Sequence, residues 1–501
     1  MKAGRREWIG LAVLALPCLL YSMDLTVLHL AIPKLTVDLE PSSAELLWII
    51  DIYGFMVAGS LITMGTLGDK IGRRKLLLIG AAAFGVASVA AALSTTATML
   101  IATRALLGVA GATIAPSTLS LIRNMFLDER QRTTAIGIWV TSFSTGSVIG
   151  PLVGGVMLEM FWWGSVFLLS VPVMVLLLIV GPRLLPEYRD PNAGRIDLAS
   201  AAMSLTAVLA MIFGLKRIAQ DGVSLVPALI IVAGLVVGVA FVRRQLRLPD
   251  PFLDLRLFRV RAFTAALATY GLSILFLFGG FLFLPQFLQL VLGLTPFRAG
   301  LWTLPWAFAF VAGSMFAPIV VRRIRPGFVM AGGLTASAVG FALFTGLDAS
   351  TGFATFTIGS MLFSLGMAPV FTLTTDIVVG SAPPERAGAA SAISETSAEF
   401  GGAVAIAIFG SIGVAVYRSA MADLAPAGVP PQALEAARAT LGGALATAGE
   451  LPADVGAQLL TAARAAFIKG VQLSATIATA GAIALAVFAA VSLRHVAASK
   501  T

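Results

Sequence analysis

Residues 391–402 of this 501-residue chain read SAISETSAEFGG and place Glu395 and Glu399 four positions apart inside a long apolar stretch. On a helix that spacing puts both carboxylates on one face, where they repel when both are ionised. The protons of such a couplet come off one after the other. A pair of this kind can take up protons and release them as its surroundings change, or stay protonated and bond to neighbouring Ser and Thr as helix-packing groups. Four more charged residues sit in comparably apolar surroundings: Asp24 in YSMDLTVLHLAIP, Asp51 in LLWIIDIYGF, Arg104 in RALLGVAGA and Asp376 in TLTTDIVVG. At the centre of a membrane helix each costs roughly 2.5–3.5 kcal/mol on insertion scales, so each implies a use. Asp24 has only His29 as a basic residue within helical reach. It reads as a cation-binding carboxylate, or as the partner of a charge on another helix such as Arg104. Asp51 falls near the outer end of its segment, where a hydrated interfacial carboxylate and a functional one are equal readings. Asp376, toward the inner end of its segment, reads as an interfacial residue.

The elements that must position these groups are membrane helices. The chain is 58% hydrophobic and 12% charged, with a mean hydropathy of +0.95, whereas a soluble domain carries about 25% charged residues. Fourteen apolar segments have the length of a crossing: 8–32, 46–67, 76–93, 99–122, 135–160, 166–180 and 198–215, then 225–241, 263–291, 299–321, 328–347, 353–379, 387–416 and 467–493. None shows the ten-residue alternation of a membrane barrel, so an all-α membrane protein with 14 transmembrane helices is expected. If the N-terminus is cytoplasmic, 25 of the 34 Lys and Arg residues fall in inside segments, eight fall outside, and Arg104 lies within a helix. The positive-inside rule then puts both termini in the cytoplasm. A basic isoelectric point near 10.1 is accounted for by these loops and by anionic lipid, not by nucleic-acid binding. The single cysteine, Cys18, leaves no disulfide and no thiolate metal site. The first segment is too long, and lacks the cleavage site, for a removed signal peptide.

Three parts are expected: a six-helix bundle over 1–182, a linker with two extra transmembrane helices over 183–257, and a second six-helix bundle over 258–501. The last part contains an outside loop, 418–466, whose Ala-rich stretches, broken at Gly442, Gly443 and 449–452, read as two short helices. The loop reads as a surface hairpin or as a lid over an exit. RTTAIGIWVTSFSTG from Arg132 and RAGAASAISETSAEF from Arg386 align on their arginines. Thr141 then falls opposite Glu395 and Thr145 opposite Glu399, as if two related helices turned polar faces to a shared interior.

Further motifs stand in order along the chain. GTLGDKIGRRK from Gly65 is a tight turn in which Asp69 can cap a helix or accept from a neighbouring arginine such as Arg73 or Arg74. RALLGVAGA follows Arg104 with Gly108 and Gly111, and GSVIGPLVGG from Gly146 carries Gly150 and Pro151, which thin and weaken a helix for close packing. In this order they resemble the major facilitator superfamily: its loop signature after span two, its arginine-bearing span four and its glycine-proline antiporter signature in span five. MDLTVLHLAIP, LWIIDIYGFMVAG and APPERAGAASAISETSAE are similar to segments of the fourteen-helix drug/proton antiporters, of the QacA, SmvA and LfrA type. That resemblance implies export of lipophilic cations such as quaternary ammonium biocides, ethidium and acriflavine, and sometimes fluoroquinolones. It implies that Asp24, Glu395 and Glu399 handle cation and proton. Span ten, AGLWTLPWAFAFVAGSMFAPIVV, lacks the acidic residue of QacA-like proteins, which counts against dicationic substrates.

The residues agree with that expectation on their own terms. Acidic groups with almost no basic ones suit a positively charged substrate, and Trp139, Trp48, Trp302, Trp306 and Phe276 could hold flat apolar rings. The expected binding set is Asp24, Glu395, Glu399, Thr141, Thr145 and Trp139. Conformational roles fall to Asp69, Arg73, Arg74, Arg104, Gly150 and Pro151. No Gly-x-x-x-x-Gly-Lys loop occurs, so a proton gradient, with no cofactor and no metal, is the expected energy source. The expected unit is a monomer in the cell membrane. A nutrient symporter, a membrane receptor and a lipid-modifying enzyme are the alternatives. The enzyme reading is weakened by histidines only at 29 and 495, and the receptor reading by the lack of a soluble signalling domain.

Overall fold

The computed structural model describes residues 3–189, 197–222, 224–248, 251, 253–348, 353–426 and 429–497. Lys2, Arg195 and Lys500, and the side chains of His29 and Pro151, lie outside that description. Among the described residues there is no strand. Fourteen helices among these residues are long and apolar enough to cross a membrane: Arg5–Leu28, Trp48–Ile71, Arg73–Ala92, Ala97–Met125, Glu129–Met160, Ser165–Leu184 and Leu198–Ile218, then Leu225–Arg247, Arg261–Val291, Arg298–Val320, Pro326–Phe344, Phe353–Ser381, Pro384–Leu424 and Ala453–Ser492. They are called spans one to fourteen below.

Helix starts follow side-chain chemistry. Ser42 and Glu45 close a capping box ahead of span two. Asp128 accepts from the Gln131 amide at 3.0 Å to start span five, and Asp197 accepts from the amides of Ala199 and Ser200 at 3.1 and 3.2 Å to start span seven. Span four is two helices, Ala97–Gly111 and Ile114–Met125. Span nine ends in a π-helical turn, Phe287–Val291.

The two boundaries around the expected outside loop differ most from expectation. The span-thirteen helix continues to Leu424, and the last helix begins at Ala453 rather than near 467. The connection is therefore shorter than 418–466 and holds two short helices, Pro431–Ala439 and Leu441–Ala448. Hydropathy stops a span where its residues turn polar, whereas a helix runs on past the apolar belt as long as its amides stay paired.

Spans one to six pack among themselves, as do spans nine to fourteen. The two groups meet where span two packs on span thirteen and span five on span ten, while spans seven and eight pair with each other and span seven lies against both span two and span thirteen. Small residues permit these approaches. A Cβ on Gly146 would strike the Leu19 carbonyl, and one on Gly150 would strike Thr26, so the glycine side of span five lies flush on span one.

Candidate functional site

The two groups of helices are tied together at the end of the molecule that holds the N-terminus. Arg132 of span five donates from Nε to Asp376 Oδ1 of span twelve at 2.8 Å, and Thr133 donates to Oδ2 of the same carboxylate at 2.5 Å. Asp376, expected at an interface with water, is instead 8% exposed and bonded across the boundary between the two groups. The sequence could not show this, because its partners lie more than 240 positions away. A second tie comes from the loop after span two. Asp69 accepts from Arg73 one turn on and also from the backbone amide of Ala389 at 3.2 Å. One carboxylate thus holds its own turn and caps the helix of span thirteen in the other group. Beside it, Gly65 is so close to Gly388 and Ala392 that a Cβ would collide with both. Arg74 donates to the carbonyls of Pro182 and Leu185, each at 3.1 Å, and so anchors the start of span three to the end of span six. Ser314 of span ten closes the set by donating to the Gly137 carbonyl at 3.0 Å.

Gly388, Ala392, Glu395 and Glu399 lie at i, i+4, i+7 and i+11, one stripe of the Ala387–Leu424 helix. Ser397 and Gly401 of that helix pack on Gly271 of span nine, within their own group. Two residues of offset turn a side chain about 200° round a helix, so Glu395 and Glu399 face away from span nine toward the first group. The couplet begins about 9 Å along the helix axis from the Ala389 tie. Glu399 Oε1 lies 3.5 Å from the hydroxyl of Tyr21 on span one, at the limit of a hydrogen bond. Glu395 Oε1 is buried with no hydrogen-bond partner. No ion pair engages either carboxylate among the described residues. The two act electrostatically on each other, on Tyr21 and on Tyr270 of span nine, and Lys216 of span seven acts on Glu399. Aromatic rings line this region: Tyr21 lies 5.6 Å from Phe143 and 6.0 Å from Tyr53, and Tyr270 lies 5.5 Å from Phe371.

Asp24 and Arg104 come together, with Oδ2 and Nη1 3.5 Å apart and Arg104 1% exposed. Arg104 also donates from Nε to the Ile49 carbonyl at 2.6 Å and lies over the Tyr53 ring. Asp24 thus has the charge partner on another helix that one of its two readings named. Asp51 is paired as well, with Lys216 at 2.5 Å. Lys216, just past the 198–215 apolar segment, lies within the helix Leu198–Asp221 and sits over the Phe55 ring; its sequence signal is a lysine at the end of an apolar run. Trp139 is 3% exposed and donates from its indole to Thr118 at 2.9 Å, so it is held behind Phe143. Thr141 Oγ1 is buried without a partner. No hydrogen bond joins Thr141 or Thr145 to either glutamate among the described residues. Gly150 lies against span one, and the helix of span five continues through Pro151.

The model of one family, the Major Facilitator Superfamily, matches residues 14–406. The chain belongs to the major facilitator superfamily. This transporter is 45% identical over 490 residues to "Multidrug efflux pump LfrA" of Mycolicibacterium smegmatis, covering 98% of the chain and 97% of the relative. It is 37% identical to "Methyl viologen resistance protein SmvA" of Salmonella typhimurium, covering 92% and 93%. It is 32% identical to the "Tetracenomycin C resistance and export protein" of Streptomyces glaucescens, covering 97% and 91%. Among solved structures, the transporter has the fold of the human organic anion transporter MFSD10, with a TM-score of 0.60 at 14% identity, covering 95% of this chain and 99% of that one. It also has the fold of a bacterial homologue of the lysosomal transporter Spinster, with a TM-score of 0.56 at 16% identity, covering 98% and 99%. It is a multi-pass protein of the cell membrane.

Proposed function

We propose that this transporter exports lipophilic cations in exchange for protons, by alternating access between bundles 1–182 and 258–501 joined by the 183–257 linker. The observation that carries this reading is the couplet Glu395–Glu399, which faces the boundary between the bundles with no ion pair among the described residues. Relatives whose names speak of multidrug efflux and of resistance to methyl viologen and tetracenomycin C support it. In this reading Glu395, Glu399 and Asp24 exchange protons for substrate, and Tyr21, Phe143 and Tyr270, backed by Trp139, offer flat apolar contact and cation–π attraction. Quaternary ammonium compounds, ethidium, acriflavine and fluoroquinolones are the substrates to try. With the N-terminus in the cytoplasm, as the charge distribution favours, the tied end is the cytoplasmic gate, held closed by Asp376 with Arg132 and by Asp69 with the Ala389 amide.

Two carboxylates give the exchange its drive. One proton for one monovalent cation moves no net charge, whereas two protons move one charge inward, adding about 2.3 kcal/mol per 100 mV, or roughly a fifty-fold gradient. The test is addition of ethidium to purified protein in weakly buffered solution. Proton release on addition, and uptake on removal, is expected of an antiporter. Ethidium binding with no proton release would overturn the exchange. Proton uptake on binding would point to a symporter.

A further inference from the structure

A groove of about 610 Å³ opens where the start of span nine meets the end of span fourteen. Its polar wall holds Arg259, Arg261, Arg494 and His495, and its apolar wall holds Phe258 and Phe488. No carboxylate lines it, and no ion pair engages any of these three arginines among the described residues. Such a cluster of like charges is self-repelling, unlike Arg132, Arg244 and Arg386, each of which meets an aspartate. From Val491 in the groove wall, Val487 and Ile483 continue along span fourteen, and the three are 59%, 61% and 52% exposed, as residues that meet acyl chains would be.

We propose that this groove is a binding site for an anionic phospholipid in the leaflet on the N-terminal side. A headgroup phosphate fits between guanidinium groups that present paired donors to its oxygens, and its acyl chains continue along Phe258, Phe488 and Val491. A free anion would use the arginines alone. The aromatic walls and the adjoining apolar face select a lipid. The site is independent of the export reading, because none of its residues belongs to the couplet or to the gate.

The test is native mass spectrometry of the purified transporter with dioleoyl phosphatidylglycerol, dioleoyl phosphatidylcholine or inorganic phosphate. Phosphatidylglycerol should be retained in preference to phosphatidylcholine, and millimolar inorganic phosphate should leave it in place. R261Q/R494Q should hold it roughly tenfold or more weakly, while R261K/R494K, which keeps the charge but loses the paired donors, should fall between that variant and the wild type. Equal retention of both lipids, or displacement by inorganic phosphate, would overturn the proposal without any variant. Unchanged retention by folded R261Q/R494Q would overturn it as well.

Discussion

Asp376 receives two donors from span five, Arg132 Nε at 2.8 Å and Thr133 Oγ1 at 2.5 Å, so one carboxylate joins the two groups of helices at the end bearing the N-terminus. Removing one partner of a buried pair leaves an uncompensated charge and costs on the order of 3–5 kcal/mol. D376N should therefore shift the molecule toward opening at that end. Spin labels at Leu127 and Arg323, both exposed, in a C18S background should report longer distances in D376N. The charge swap R132D/D376R should recover the short distances if the pair acts as a latch, and unchanged distances in D376N would show that it does not.

E395Q and E399Q should each cut pH-driven ethidium accumulation in everted vesicles, where export runs inward. If two protons move per cation, a variant left with one loses the electrical part of the drive, roughly fifty-fold in attainable gradient at 100 mV. The gradient supported by a membrane potential alone is the discriminating readout. Undiminished accumulation in both variants removes the couplet from coupling.

D24N isolates Arg104, which is 1% exposed, and should lower thermal stability by roughly 3–5 kcal/mol. D24N/R104Q should recover much of that loss, since neither group is then left charged and alone. Transport separates the two roles of Asp24. A stable double variant that still exports assigns Asp24 to structure, and one that does not places it in cation handling.

Glycine packing makes a stability contrast within one helix. G146A drives a Cβ into the Leu19 backbone carbonyl, whereas a Cβ at Gly155 meets nothing within 4 Å. Overpacking typically costs about 1–3 kcal/mol, and Gly to Ala in an open helical position gains roughly 0.5–1 kcal/mol. Thermal unfolding should thus fall for G146A and hold or rise for G155A.

Asp197 gives a pH dependence outside the apolar belt. Hydrogen bonds from Ser200, joined by Arg244, hold its carboxyl below the usual carboxylate range. A depressed folded-state value means that its cap on span seven is fully present above the unfolded value of about 3.9 and is lost as pH falls through the lower folded value. Protection of the Ala199 and Ser200 amides, relative to their intrinsic exchange rates, should fall in that acid window in the wild type and be low already at neutral pH in D197A. Identical exchange in both proteins at pH 7 would rule the cap out.

By itself the sequence determined the class, the fourteen crossings and the acidic couplet, because bilayer thickness sets span length and a carboxylate amid apolar residues is conspicuous wherever the chain goes. The Asp69–Arg73 turn was legible for the same local reason, both partners lying within one helical turn. What only the tertiary structure decided are the long-range partners: Asp376 with Arg132, Asp24 with Arg104, Asp51 with Lys216, and Asp69 with the amide of Ala389. Hydropathy records how apolar each helix is but hardly which side faces lipid, since a membrane helix is apolar all round. Helix rotation is set by contacts such as Gly65 on Ala392 and Gly146 on Leu19, and those contacts exist only once the bundle is packed.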